Sequence, residues 1–224
     1  ELKFIIPLIK NIGKIETREA RSILVNKVYD ITKNRYLYNL KDLEVEKNLE
    51  EYSNQELASL LINYYVLSIL KVKFGYFKFE PDEEGIISKL DLSNIDNQGI
   101  FLNNLKNSLP DIFALSSLKE LNLSNNNIIK IPFDIGKTDS LEKLDLSFNK
   151  IIEIPVSIKS LENLKVINLK SNQLKSLPDS IDNLKSLNQL ILRDNKISEI
   201  PESLGRLQSL KVLDLYQNKL SSLP

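Results

Sequence analysis

From Leu118 onward the chain repeats itself every 23 residues, and that period restricts it to one kind of architecture. The unit reads L-x-x-L-x-L-x-x-N-x-[IL]-x-x-[IL]-P-x-x-[IL]. It runs through residues 118–140, 141–163, 164–186 and 187–209, and is cut short at 210–224. A unit this small cannot bury its own apolar edge, so copies must stack and share one interior, which predicts a solenoid.

Inside each unit the L-x-L core alternates with period two, as a short strand does when one face is buried. Leu121 and Leu123, Leu144 and Leu146, Ile167 and Leu169, Leu190 and Leu192, and Leu213 and Leu215 point inward on this reading, with successive strands pairing in parallel. Asn126, Asn149, Asn172, Asn195 and Asn218 follow the strands and form a structural ladder. An inward amide both donates and accepts, and can satisfy backbone groups where the chain bends. Pro132, Pro155, Pro178 and Pro201 open the return path, where a fixed φ and a missing N–H oppose strand continuation. Ile135, Ile158, Ile181 and Leu204 then lead a short helical or 3-10 turn. Thr138 stands where later units have leucine, a weak point in packing.

Composition removes several function classes. Thirty basic and thirty acidic residues cancel, so no net field favours nucleic acid or an anionic membrane. With no Cys and no His, this segment has no thiol nucleophile, Ser-His-Asp triad, disulfide or Cys/His zinc site. The six glycines form no phosphate-binding motif, and surface acids such as Asp82, Glu83, Glu84, Glu142 and Asp145 read as solvated charge. The reading is therefore not an enzyme, with no cofactor and no metal. Lack of cysteine points to a cytoplasmic setting. The start at Glu1 and the stop in mid-repeat suggest a piece of a longer protein.

Residues 1–80 carry no 23-residue period and read as a mainly helical N-terminal segment or cap. Thr17 can cap a first helix with Ala20, Ile23, Leu24, Val28 and Ile31 on one stripe. Ser53-Asn-Gln-Glu56 is a capping box opening a second helix, with Leu57, Leu60, Leu61, Tyr64 and Leu67 on one side. Its apolar run, 57–70, is too short for a membrane span, which needs about 20 residues. Val72, Phe74, Tyr76 and Lys78 alternate in a way that hints at a strand. Residues 81–117 read as a linker, beginning at Pro81–Gly85, and a degenerate first repeat with an insertion around 96–104. Leu109-Pro110 resembles the Leu-Pro half of that repeat.

These residues resemble the leucine-rich repeat family, in its 23-residue intracellular Leu-Pro type represented by Ras-suppressor, erbin and scribble-like proteins. The likeness is strong over 118–224 and loose over 87–117; residues 1–85 resemble no family. It implies an α/β solenoid, a right-handed arc with short parallel strands on its concave face, acting as a protein–protein interaction scaffold in signalling. By the same analogy the partner class includes small GTPases.

The candidate partner-binding residues are Phe148, Val166, Lys170, Ile191, Arg193, Val212, Asp214 and Tyr216, at variable positions around the strands. Solubility favours polar residues there. Apolar and aromatic side chains with an Arg and a polar rim are instead the composition of an interface core, although β-branched residues also simply favour strands. Mixed charge gives no basic stripe for nucleic acid. Two alternatives stand beside this reading. The segment could be the substrate-recognition or regulatory part of a larger enzyme (a ubiquitin ligase, a GTPase-fused repeat protein or a kinase). Or the repeats could be structural and the aromatics Tyr64, Tyr65, Phe74, Tyr76, Phe77 and Phe79 a docking surface.

Overall fold

A computed structural model describes residues 53–82, 86–97 and 105–222. The Thr17 helix lies outside them. The chain divides into two compact units, Glu1–Ser88 and Lys89–Pro224.

In the first unit, helix α1 spans Asn54–Phe74. The Ser53 hydroxyl accepts the Glu56 N–H while the Glu56 carboxylate takes the Ser53 N–H, so two orphan donors of the first turn are satisfied reciprocally. The helix ends at Gly75, whose φ of 73° is open to a residue without Cβ and whose N–H closes on the Lys71 carbonyl. Leu60, Leu61, Val66, Leu67, Leu70 and Phe74 are buried. The side chains of Leu57 and Tyr64 lie outside the described residues. Asn63, a polar break in the apolar run, is buried because its amide donates to the Ser59 carbonyl at 2.7 Å and accepts the Ile87 N–H at 3.0 Å.

The strand expected from Val72 onward begins later. Phe74 still belongs to α1, and strand β1 is Lys78–Pro81. Helix propagation, at one hydrogen bond per residue fixed, outweighs a four-residue alternation. Phe74 and Phe77 are core residues rather than a docking surface, and of the described aromatics here Tyr76 is the one that is widely exposed.

Strand β2, Ile87–Asp91, crosses the boundary between the units. In the second unit it leads a row of parallel strands: β3 (Glu120–Asn122), β4 (Lys143–Asp145), β5 (Val166–Asn168), β6 (Gln189–Ile191) and β7 (Val212–Asp214). They pair in chain order and constant register, Leu90↔Leu121↔Leu144↔Ile167↔Leu190↔Leu213. The sheet is open, as in a solenoid arc, and β7 has a strand neighbour on one side only. Leu213 is accordingly 40% exposed, whereas Leu190, one coil earlier, is fully buried.

The return paths are 3-10 turns at Phe133–Lys137, Val156–Ser160, Asp179–Asn183 and Glu202–Arg206. Each is preceded by its proline at φ between −63° and −72° with extended ψ, the geometry the pyrrolidine ring imposes before a tight turn. Thr138 is no weak point: fully buried, it donates its hydroxyl to the Ile135 carbonyl at 2.7 Å, so the leucine contact is replaced by a satisfied polar one. Leu109-Pro110 begins α2, a single α-helical turn (Leu109–Ile112), rather than the 3-10 turn that follows the prolines of the full units.

Adjacent turns approach closely at Gly136, where an added Cβ would lie 3.0 Å from the Ser157 carbonyl oxygen; at Gly205 it would meet nothing within 4 Å. Gly136→Ala should therefore lower the thermal midpoint measurably, while Gly205→Ala, gaining only backbone restriction in the unfolded chain, should leave it unchanged or raise it. Paired calorimetric scans would check the contrast.

Candidate functional site

The strand face is built by two layers of side-chain-to-backbone bonding. The inner layer is the asparagine ladder. Asn172 Nδ2 donates to the Leu146 carbonyl of the preceding coil at 2.9 Å and to its own coil's Leu169 carbonyl at 3.1 Å, and its Oδ1 accepts the Ile151 N–H at 2.9 Å. Asn149 and Asn195 repeat this pattern. Asn126 does so with Asp96 as its N–H donor, and Asn218, half-buried on the last coil, with Ile197. Each amide therefore stitches two coils where the sheet ladder has ended.

The outer layer is not apparent from the repeat consensus. In β2, β3, β4, β5 and β7 the last residue is Asp91, Asn122, Asp145, Asn168 and Asp214 respectively, and in each case its Oδ1 accepts the N–H two residues on, at 2.8–3.1 Å. These Asx turns hold the chain as it leaves the sheet. One residue later the backbone enters the left-handed region, at Asn94, Asn125, Phe148, Ser171, Asp194 and Gln217, with φ between 53° and 59°. Non-glycine residues seldom adopt this conformation, and Asn and Asp do so most readily. The carboxylate of Asp214, a candidate binding residue, is thus committed to the Tyr216 N–H. The signal for this was present as the recurring Asx.

The remaining candidates fall into two neighbouring columns. Val166 and Val212 flank Gln189 along the first strand position, with Val166 half-buried and Val212 42% exposed. Ile191, half-buried, lies between Asn168 and Asp214. Beyond the strand ends, the Lys170 ammonium sits 5.2 Å from the centroid of the Phe148 ring, and the Arg193 guanidinium 4.6 Å from that of Tyr216. Both are cation–π contacts. The rings are 50% and 61% exposed. Phe148 is notable because a bulky aromatic occupies a left-handed position that Asn125 fills in the coil before.

Two ion pairs on this side link neighbouring coils, Lys143 with Glu120 at 3.1 Å and Lys165 with Glu142 at 2.6 Å. The hydrogen bond from Lys165 holds the Glu142 carboxyl below its ordinary pKa. Asp145 accepts from the Ser147 hydroxyl and from Asn168 Nδ2. Among the described residues, Lys170 and Arg193 enter no ion pair. No group of three or more described acidic residues could hold a metal ion, and no described helix is long and apolar enough to cross a membrane.

Parallel one-strand coils stacked in register, with an asparagine stitch in every coil, define a solenoid repeat protein. The family model described as a leucine-rich repeat region matches residues 86–194, and a single leucine rich repeat matches 186–207. The chain is a leucine-rich repeat protein. Its structure is similar to an LRR protein of Leptospira interrogans, with 32% identity and a TM-score of 0.55 over 68% of this chain and 38% of that one. It is also similar to the LRR ectodomain of the receptor kinase SOBIR1 from Arabidopsis thaliana, with 26% identity and a TM-score of 0.56 over 73% of this chain and 96% of that one. No curated protein sequence matches the chain. Leucine-rich repeats are a general protein-interaction fold, which is the class of function the family carries.

Proposed function

We propose that this protein binds a partner protein on the strand face, across Val166, Ile191 and Val212 with Phe148, Lys170, Arg193 and Tyr216 beside them. The observation that carries this reading is the pair of exposed cation–π contacts beside the apolar side chains of Val166, Ile191 and Val212. Rigid aromatic and Arg anchors around an apolar centre are what concentrates binding energy in protein interfaces. The module acts by holding its partner rather than by catalysis, and residues 1–80 serve it as an N-terminal cap. A cytoplasmic setting is part of the same reading and is supported by the lack of cysteine. The small-GTPase partner rests on family analogy alone.

Photo-crosslinking tests the face. With p-benzoylphenylalanine replacing Val212, a discrete adduct should form in extracts of the source cell. It should disappear when Val166→Glu and Tyr216→Glu are combined in a still-folded chain. The same label replacing Asp179, exposed on a 3-10 turn, should give no such adduct. An adduct indifferent to the double substitution would move the interface elsewhere.

A further inference from the structure

β6 is the exception in an otherwise regular row. Strands β2, β3, β4, β5 and β7 end on Asp91, Asn122, Asp145, Asn168 and Asp214, and each of those side chains caps the N–H two residues later. β6 ends on Ile191, which has no acceptor to offer. The equivalent donor, the Arg193 N–H, has no hydrogen-bond partner among the described residues, although the adjacent Leu192 and Asp194 N–H groups reach the Asp214 and Tyr216 carbonyls. The backbone of this coil keeps the same left-handed turn at Asp194 as the capped coils. Folding therefore favours Asn or Asp at position 191, and the isoleucine is a departure that costs the turn its cap.

Two cations and two carboxylates neighbour that uncapped N–H: Arg193 and Lys170, with Asp194 next in sequence and Asp214 paired with Ile191 across the strands. The Arg193 side chain belongs to the same residue, and Lys170 lies one coil away, its coil joined to the next by the Ser171 N–H to Arg193 carbonyl bond at 2.9 Å. Both cations contact ring faces and no carboxylate, whereas the nearby Asp145 and Asp214 side chains are committed to backbone N–H groups of their own coils. A free backbone donor in the residue that carries one cation, one coil from a second at Lys170, with Ile191, Val166 and Val212 supplying apolar contact, is complementary to a carboxylate. Resting on the proposed strand-face interface, we propose that the partner inserts an acidic side chain, flanked by apolar residues, whose carboxylate takes the place of the missing Asx: it accepts the Arg193 N–H and lies between the Arg193 and Lys170 cations. Such charge-assisted bonds are about twice as strong as neutral ones, and they recognise the carboxylate rather than its amide isostere.

The probe is N-acetyl-leucyl-glutamyl-leucine amide, with its glutamine counterpart as control, titrated into the 15N-labelled chain and followed by NMR. The glutamate peptide should move the Arg193 amide proton downfield and saturably, at least tenfold more tightly than the glutamine peptide. Ile191→Asn, which restores the internal cap, should raise the thermal midpoint and reduce that preference at least tenfold. Ile191→Ala, which leaves the N–H open, should keep it. Equal binding of the two peptides, an Arg193 amide that does not move, or a preference that survives Ile191→Asn would each overturn the inference. The crosslinking result at Val212 does not depend on any carboxylate, so failure here with that adduct intact rejects the acidic group alone.

Discussion

Asn172→Ala should lower the unfolding free energy by about 3 kcal/mol, one of the two largest losses expected from a single side chain here. The Leu146 and Leu169 carbonyls each keep a second donor, from Asn149 and Asn195, so they are weakened but not orphaned. The Ile151 N–H is different: its acceptor is the Asn172 Oδ1, in the buried interior. Leaving such a donor unpaired costs about 1–3 kcal/mol, and the lost donations from Nδ2 add about 1 kcal/mol. Asn218→Ala, half-buried on the last coil, should cost about 1 kcal/mol, because water can reach the groups it leaves behind. Urea denaturation of the two variants would measure both. Similar losses would contradict a ladder whose strength depends on burial.

Leu169→Ala should cost a comparable amount, about 3–4 kcal/mol, by a different route. Leu169 is fully buried, and its coil is stacked between those of Leu146 and Leu192, also buried. Truncation there removes transfer energy and leaves a cavity that neighbours on both sides, pinned by the asparagine stitch, cannot collapse to fill. The equivalent Leu215→Ala should cost no more than about 1.5 kcal/mol, since that side chain is half-buried and water or a shift of the final coil can fill the space. If the two losses were equal, the last coil would be as tightly enclosed as the central one.

Both predictions rest on positions that could be found by period alone. The inward leucines, the prolines and the asparagines are set by local chemistry repeated at one spacing, so their roles are readable without coordinates. The capping box at Ser53 and Glu56 is local in the same sense. The strand expected from Val72 failed because alternation over a few residues carries little information beside a long helix. Thr138 looked like a packing defect because a hydroxyl's partner cannot be read from the residue itself.

The binding face shows the limit most clearly. Its apolar and aromatic members stand out in the sequence as residues that solubility does not favour. Their pairing does not: Lys170 with Phe148, and Arg193 with Tyr216, are contacts between successive coils, each about one period apart along the chain. By sequence Asp214 is a candidate partner-binding residue, and only the turn geometry makes it a cap. That same geometry makes Ile191 an exception rather than one more strand residue.

The sequence by itself determined the solenoid, its interior and its stitching, because periodic burial and periodic turns need only one repeated local pattern. Tertiary structure alone decided which polar side chains are consumed by the backbone and which are left to face a partner. That difference depends on which groups meet across adjacent coils, and a hydrogen-bond donor is known to be free only once every acceptor within reach has been placed.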